Sequence, residues 1–196
     1  MGFSRGPKLV TNGLVLCLDA ASKKSYPGSG TTWYDLSGGG RNHTITNSPT
    51  FSNGEFTINE TQSFTYNTMP TVGTNCTVML FYKTTDTQEL WVKGQSGGYY
   101  IAASYGNNYY HSSSGSPSYY VDTIARTNPS SYRDGNYHMW EAKNVNFSSW
   151  TQLNWFGYGS SWNMNGTVAY IAMYDRALTS EESTQNYNAL KSRFGL

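Results

Sequence analysis

Apolar residues recur at every second position in Gly13-Leu14-Val15-Leu16-Cys17-Leu18-Asp19-Ala20, where Leu14, Leu16 and Leu18 share one face and Val15 and Cys17 the other. That pattern predicts a strand buried on both faces. Two further stretches, Cys76-Thr77-Val78-Met79-Leu80-Phe81-Tyr82 and Gly166 to Tyr174, are apolar at nearly every position and predict central strands. Shorter β-prone pieces lie at Thr44 to Thr46, Phe51 to Asn59, Gln62 to Thr68, Glu89 to Lys93, Tyr99 to Ala103, Asn136 to Ala142 and Gln152 to Tyr158. Within the second of these, Asn53-Gly54 signals a hairpin. Tyrosine pairs at 99–100, 109–110 and 119–120, with turn residues between them, predict a meander of three antiparallel strands, each pair with one ring inward and one outward. Helical spacing is confined to the end. Thr179 with Glu182 forms a capping box, and Tyr187, Leu190 and Phe194 make an apolar stripe predicted to dock the helix. Many short strands and one helix predict a β-sandwich.

The same pattern sets the boundaries. Residues 1–12, with Gly2, Gly6, Pro7 and the two basic residues Arg5 and Lys8, read as an extended arm, and 13–196 as one domain large enough to bury a core. Trp33-Tyr34-Asp35-Leu36-Ser37-Gly38-Gly39-Gly40-Arg41-Asn42-His43 interrupts the strands as a built loop, in which Asp35, Ser37 and Asn42 can bond backbone groups that the glycine turn leaves unpaired.

Composition narrows the chemistry. Only 13% of residues are charged, 16% are aromatic and the net charge is +1 without any run of Lys or Arg, so nothing marks a nucleic-acid partner. No apolar run approaches the ~20 residues of a membrane helix, and the first residues lack the apolar core of a signal peptide. Cys17 and Cys76, each in an apolar run, read as buried thiols, with a disulfide as the less favoured alternative.

Gly13 to Ala20, Ser25-Tyr26-Pro27-Gly28 and Trp33 to Gly38 resemble the opening of laminin-G-like, concanavalin A-like lectin/glucanase domains, particularly those of tailed bacteriophages. The closing stretch Gly166 to Thr179 with Glu181-Glu182 is similar to that family's last strand and helix start, and Asp134-Gly135-Asn136-Tyr137-His138 resembles its Trp-His strand, with Tyr137 where Trp is usual. The resemblance implies a jelly-roll of two antiparallel sheets with one short C-terminal helix. It also implies a non-enzymatic virion protein, displayed on the particle in multiple copies as capsid decoration and made in the host cytoplasm. Phe3, Arg5 and Lys8 of the arm would be its assembly contacts. The alternative is a carbohydrate-binding adhesin on the tail or fibre that recognises host glycan.

Candidate chemistry follows from residue type. The glucanases of this superfamily need carboxylates at alternating positions of one strand, a pattern absent here, and His43, His111 and His138 lack partners at zinc-ligand spacing, so no enzyme or cofactor is expected. Calcium is the exception to weigh. Some laminin-G-like domains hold it at a rim loop, which makes Asp35 and Asn42 candidate ligands, against the reading that they brace the loop's own backbone. For a ligand, the candidates are Tyr109, Tyr110, Tyr119, Tyr120 and Trp162, since aromatic faces stack on sugar rings, against the reading that half of them pack the core.

Overall fold

A computed structural model describes residues 7–59, 61–87, 89–95, 98–104, 108–128, 132–157 and 164–196, without the side chains of 89–90 and 103–104. Among these residues fifteen strands form two sheets, and every pairing is antiparallel. One sheet has eight strands. From edge to edge it runs β12 (Ile124–Arg126), β11 (Gly115–Val121), β13 (His138–Val145), β7 (Cys76–Lys83), β15 (Gly166–Tyr174), β5 (Glu55–Ile58) and β4 (Thr50–Ser52). Its eighth strand, β1 (Leu14–Asp19), also pairs with β15. The other sheet has seven strands in the order β10 (Asn108–Ser112), β9 (Tyr100–Ser104), β8 (Glu89–Lys93), β14 (Leu153–Trp155), β6 (Ser63–Tyr66), β3 (His43–Thr46) and β2 (Thr32–Trp33). The expected jelly-roll sandwich is the observed fold.

The central strands behave as their composition demands. β15 is bonded to β7 along its length, and its other flank is shared by β5 at Gly166–Val168 and β1 at Tyr170–Tyr174. Asn53 and Gly54 both take positive φ, 51° and 80°, as the tight hairpin between β4 and β5 requires. Alternation then assigns the side chains. Leu16, Leu18, Val78, Leu80, Trp140 and Ile171 point between the sheets, where they meet Trp33, Phe64, Trp91 and Trp155 of the seven-stranded sheet. Their strand neighbours Cys17, Met79, Phe81, Met139, Tyr170, Ala172 and Tyr174 point the other way and form a second apolar layer.

That second layer is roofed by α1 (Ser180–Leu190), a 3-10 turn at Lys191–Arg193 and the N-terminal segment around Val10. The capping box is formed: the Thr179 hydroxyl accepts from the Glu182 amide and Glu182 accepts from the Thr179 amide. Arg176 grips the same carboxylate at 2.6 and 2.7 Å and holds its pKa down to about 2.

The docking face differs from the predicted stripe. α1 buries Ser183, Asn186 and Leu190, while Tyr187 and Phe194 are only partly covered. The reason is polar. Beneath the helix lies the fully buried carboxylate of Glu141, and a buried charge must be bonded or it costs several kcal/mol. The Ser183 hydroxyl donates to Glu141 at 2.9 Å, and Lys143 stands 3.4 Å from its other oxygen. Asn186 accepts from the Val10 amide at 2.8 Å and donates to the Tyr174 hydroxyl at 3.0 Å, which in turn donates to the Val10 carbonyl. The inner part of the predicted arm is therefore tied beneath the helix. Lys8 stays exposed, with its carbonyl accepting from Gln185, whereas Phe3 and Arg5 lie outside the described residues.

Both cysteines are free thiols. Cys17 faces the helix layer and Cys76 the layer between the sheets, so the eight-stranded sheet itself separates them and rules out the disulfide. Burial pushes their pKa values up to about 11 and about 12.

Replacing Asn186 by Ala leaves the Val10 amide and the Tyr174 hydroxyl short of partners inside the roof, at an expected cost of about 2–3 kcal/mol. Urea denaturation should show the earlier midpoint, and hydrogen exchange at the Val10 amide should accelerate. An unchanged midpoint would mean that the apolar contacts hold the roof without this network.

Candidate functional site

The glycine-turn loop is a brace. Asp35 Oδ1 accepts from the amides of Cys17 (3.0 Å) and Ser37 (2.8 Å), and Oδ2 from the Ser37 hydroxyl (2.8 Å) and the Arg41 amide (3.0 Å). Asn42 Oδ1 accepts from the Asp35 amide at 3.0 Å, and Arg41 Nη1 donates to the Val15 carbonyl at 2.8 Å. The oxygens considered for calcium are thus backbone acceptors that stitch the loop to β1. Among the described residues no group of three or more His, Cys, Asp or Glu is arranged to hold a metal.

His43 closes the loop from beneath. An indole N–H can only donate, so the 2.9 Å contact from Trp155 Nε1 makes His43 Nε2 an acceptor and leaves the proton on Nδ1, which donates to the Arg41 carbonyl at 2.9 Å. Burial lowers the imidazole pKa to about 4. His138 is the opposite case. Its nitrogens lie 2.6 Å from Asp122 and 3.2 Å from Asp134, and the hydrogen bond to Asp122 leads a set of carboxylate effects that raises its pKa. With both nitrogens engaged, neither is left to activate a hydroxyl.

The tyrosines are sorted by the fold. β9 and β10 pair as the meander predicts, but β11 leaves that sheet and joins the other, between β12 and β13. The crossing is anchored where Trp150 Nε1 donates to the Ser113 carbonyl at 2.7 Å, Ser113 having a φ of 50°. Tyr109 and Tyr119 therefore face one another across the sandwich and stack, with ring centroids 4.0 Å apart and an interplanar angle of 17°. Behind them Trp91 of β8 stacks on Trp140 of β13 at 4.2 Å. The four rings form one block that joins the sheets at this edge. The Tyr119 hydroxyl lies 3.1 Å from His111 Nδ1.

Tyr110 and Tyr120 point outward, as alternation requires, but to opposite faces of the molecule. Tyr110 is exposed on the seven-stranded sheet, and the ring of Tyr120 lies 4.6 Å beneath Lys143 Nζ on the helix side of the other. Of the four candidate tyrosines, Tyr109, Tyr119 and Tyr120 border one cleft, and Tyr110 stands apart from it. Trp162 lies outside the described residues. What the fold does assemble is a cleft of about 510 Å³ over the stacked pair, bordered by Asn108, Tyr109, Pro117, Tyr119, Arg126 and Thr127. Arg126 escapes sequence reading because β12 is three residues long and carries no apolar period.

The pH dependence of stability follows from His43. Its unfolded pKa is about 6.5. Between that value and about 4 the folded protein binds fewer protons than the unfolded chain, so stability falls as pH drops through this window. The total is about 3 kcal/mol. His138 acts with the opposite sign, its contribution being present at low pH and lost as pH rises through its raised pKa. Urea titrations of wild type and His43→Gln should therefore differ by a flatter acid limb in the variant. An NMR titration that found His43 ionising near its unfolded value would contradict this assignment.

No family model matches the chain, and no curated protein does. Solved structures match in fold. Domain 4 of AbnA, a GH43 extracellular arabinanase from Geobacillus stearothermophilus in complex with arabinotriose, is 11% identical with a TM-score of 0.60, over 93% of this chain and 99% of that one. Trypanosoma rangeli sialidase in complex with sialic acid is 12% identical with a TM-score of 0.57, over 96% of this chain and 36% of that one. The binding domain of Paraclostridial Mosquitocidal Protein 1 is 12% identical with a TM-score of 0.58, over 91% of this chain and 52% of that one. The chain spans about a third of the length of the sialidase chain. These likenesses show the fold alone, a concanavalin A-like β-sandwich.

Proposed function

We propose that this protein is a non-catalytic carbohydrate-binding module whose ligand lies in the cleft over Tyr109 and Tyr119. The observation that carries the reading is the cross-sheet stack itself: two tyrosines fixed face to face at an open edge, with the polar groups of Asn108, Arg126 and Thr127 around them. Rigid aromatic surface with few placed polar groups is how small-ligand sites are commonly built. The arabinanase domain, which matches this chain over almost its whole length, was solved with arabinotriose, so a sandwich of this shape accommodates a short oligosaccharide. The module binds rather than cleaves because the carboxylates near the cleft edge serve the fold: Asp122 and Asp134 hold His138, and Glu141 holds Ser183.

The resemblance of Gly13 to Gly38 and of Gly166 to Thr179 to tailed-phage domains favours a virion setting for this module. On a tail or fibre it would grip host glycan, and on a capsid it would decorate the shell in many copies. Mass spectrometry of purified particles tests the setting.

A glycan array with the full chain should give a positive set, and no hydrolysis products should appear on prolonged incubation. Tyr109→Ala should weaken binding about tenfold or more, as loss of a central aromatic contact does. Tyr110→Ala, on the opposite face of the same strand, should bind as wild type. Silence across the array, or equal loss in both variants, would remove the cleft reading and favour decoration.

A further inference from the structure

We infer that the ligand of this cleft is an acidic saccharide whose carboxylate is held by Arg126, an inference that rests on the carbohydrate-binding reading above. Strand register gives the first argument. Arg126 of β12 stands opposite Tyr119 of β11, and residues opposite one another in a ladder project from the same face. Because Tyr119 faces its stacking partner Tyr109, the guanidinium is directed to the cleft side of the sheet, beside the aromatic pair.

Charge gives the second. Among the described residues the border is made of Tyr, Asn, Pro, Ser, Ala, Thr and this single arginine, with no carboxylate. The acids on the neighbouring hairpin are engaged elsewhere: Asp122 bonds His138 and the Met139 amide, and Asp134 bonds His138 and Asn136. The Arg126 Nε is shut off from solvent and has no hydrogen-bond partner among the described residues. Arg176 and Arg193 are paired with Glu182 and Asp19, and Arg41 spends its guanidinium on the Val15 carbonyl, whereas no such contact engages Arg126 among the described residues. A half-buried, planar donor fork without a counter-charge is complementary to a carboxylate, which it can take by two parallel hydrogen bonds, and a neutral hydroxyl supplies no such charge.

The two features together describe a sugar acid. Half-buried Tyr109, backed by the buried Tyr119, offers apolar area at the cleft for one side of a pyranose, and the guanidinium beside it fixes the anionic substituent of that ring. Uronates and sialic-type sugars both supply the group, and their separate arms in the test tell them apart.

Calorimetry on the full chain would use oligogalacturonate, its carboxyl-reduced counterpart, sialyllactose, lactose and polyglutamate. At least one acidic sugar should bind about tenfold or more tighter than its neutral counterpart, as a charge-assisted pair lost from one partner predicts. The preference should shrink as salt rises, a reading that needs no variant. Arg126→Gln should abolish the preference and leave the weaker neutral binding, and Arg126→Lys should restore part of it. Acidic and neutral sugars binding alike, or a preference that survives Arg126→Gln, would overturn this inference while the carbohydrate-binding reading stood. No sugar binding by folded wild type would remove both. Polyglutamate binding as tightly as the best sugar would overturn the saccharide class.

Discussion

A sheet with apolar side chains on both faces has to be covered twice, and here the second cover is assembled from the two ends of the described chain. The facing sheet shields Leu16, Val78 and Ile171, but Cys17, Met79, Phe81 and Ala172 alternate with them and would meet water without α1 and the Val10 segment. At about 25 cal/mol per Å² of apolar surface, exposing that layer would erase the marginal stability of a domain this size. The polar contacts of the roof then set its position. The helix presents Ser183 to Glu141 and Asn186 to Val10 and Tyr174, and these bonds together set its register on the sheet.

The sandwich was largely legible in the sequence because the strands that matter most are those with the least ambiguous pattern. β7 and β15 are apolar on both faces, and Gly166–Tyr174 was delimited to the residue by its leading glycine. The capping box placed the start of the helix for the same reason: it is a local device whose partners are three residues apart. The helix face was not legible. A stripe of Tyr187, Leu190 and Phe194 is the natural reading when the surface beneath is assumed apolar, and only the fold reveals that a carboxylate and a tyrosine hydroxyl wait there.

The cleft shows the same division. Alternation correctly sent one ring of each tyrosine pair inward, since that depends only on the strand. Whether Tyr109 and Tyr119 meet depends on the sheet that β11 joins, which is a long-range choice made through its pairing with β13, and period-two patterns are silent about it. Arg126 was invisible for a related reason. One basic residue in a short edge strand has no pattern around it, and only the register with Tyr119 places it at the cleft.

The tie between Val10 and Asn186 also sets how the domain meets tension. β1 and β15 are antiparallel, with Leu14 opposite Tyr174, so the chain leading into β1 and the chain leaving β15 emerge at the same end of the pair. A pull between those two segments would peel the ladder open one bond at a time, the weakest way to load a sheet. The bonds of Asn186 to Val10 and Tyr174 bridge the segments ahead of that first rung, and Arg193 adds a second clamp on Asp19 at the far rung. The roof therefore works as a mechanical latch, and a domain loaded through these two segments would hold until its bonds gave way.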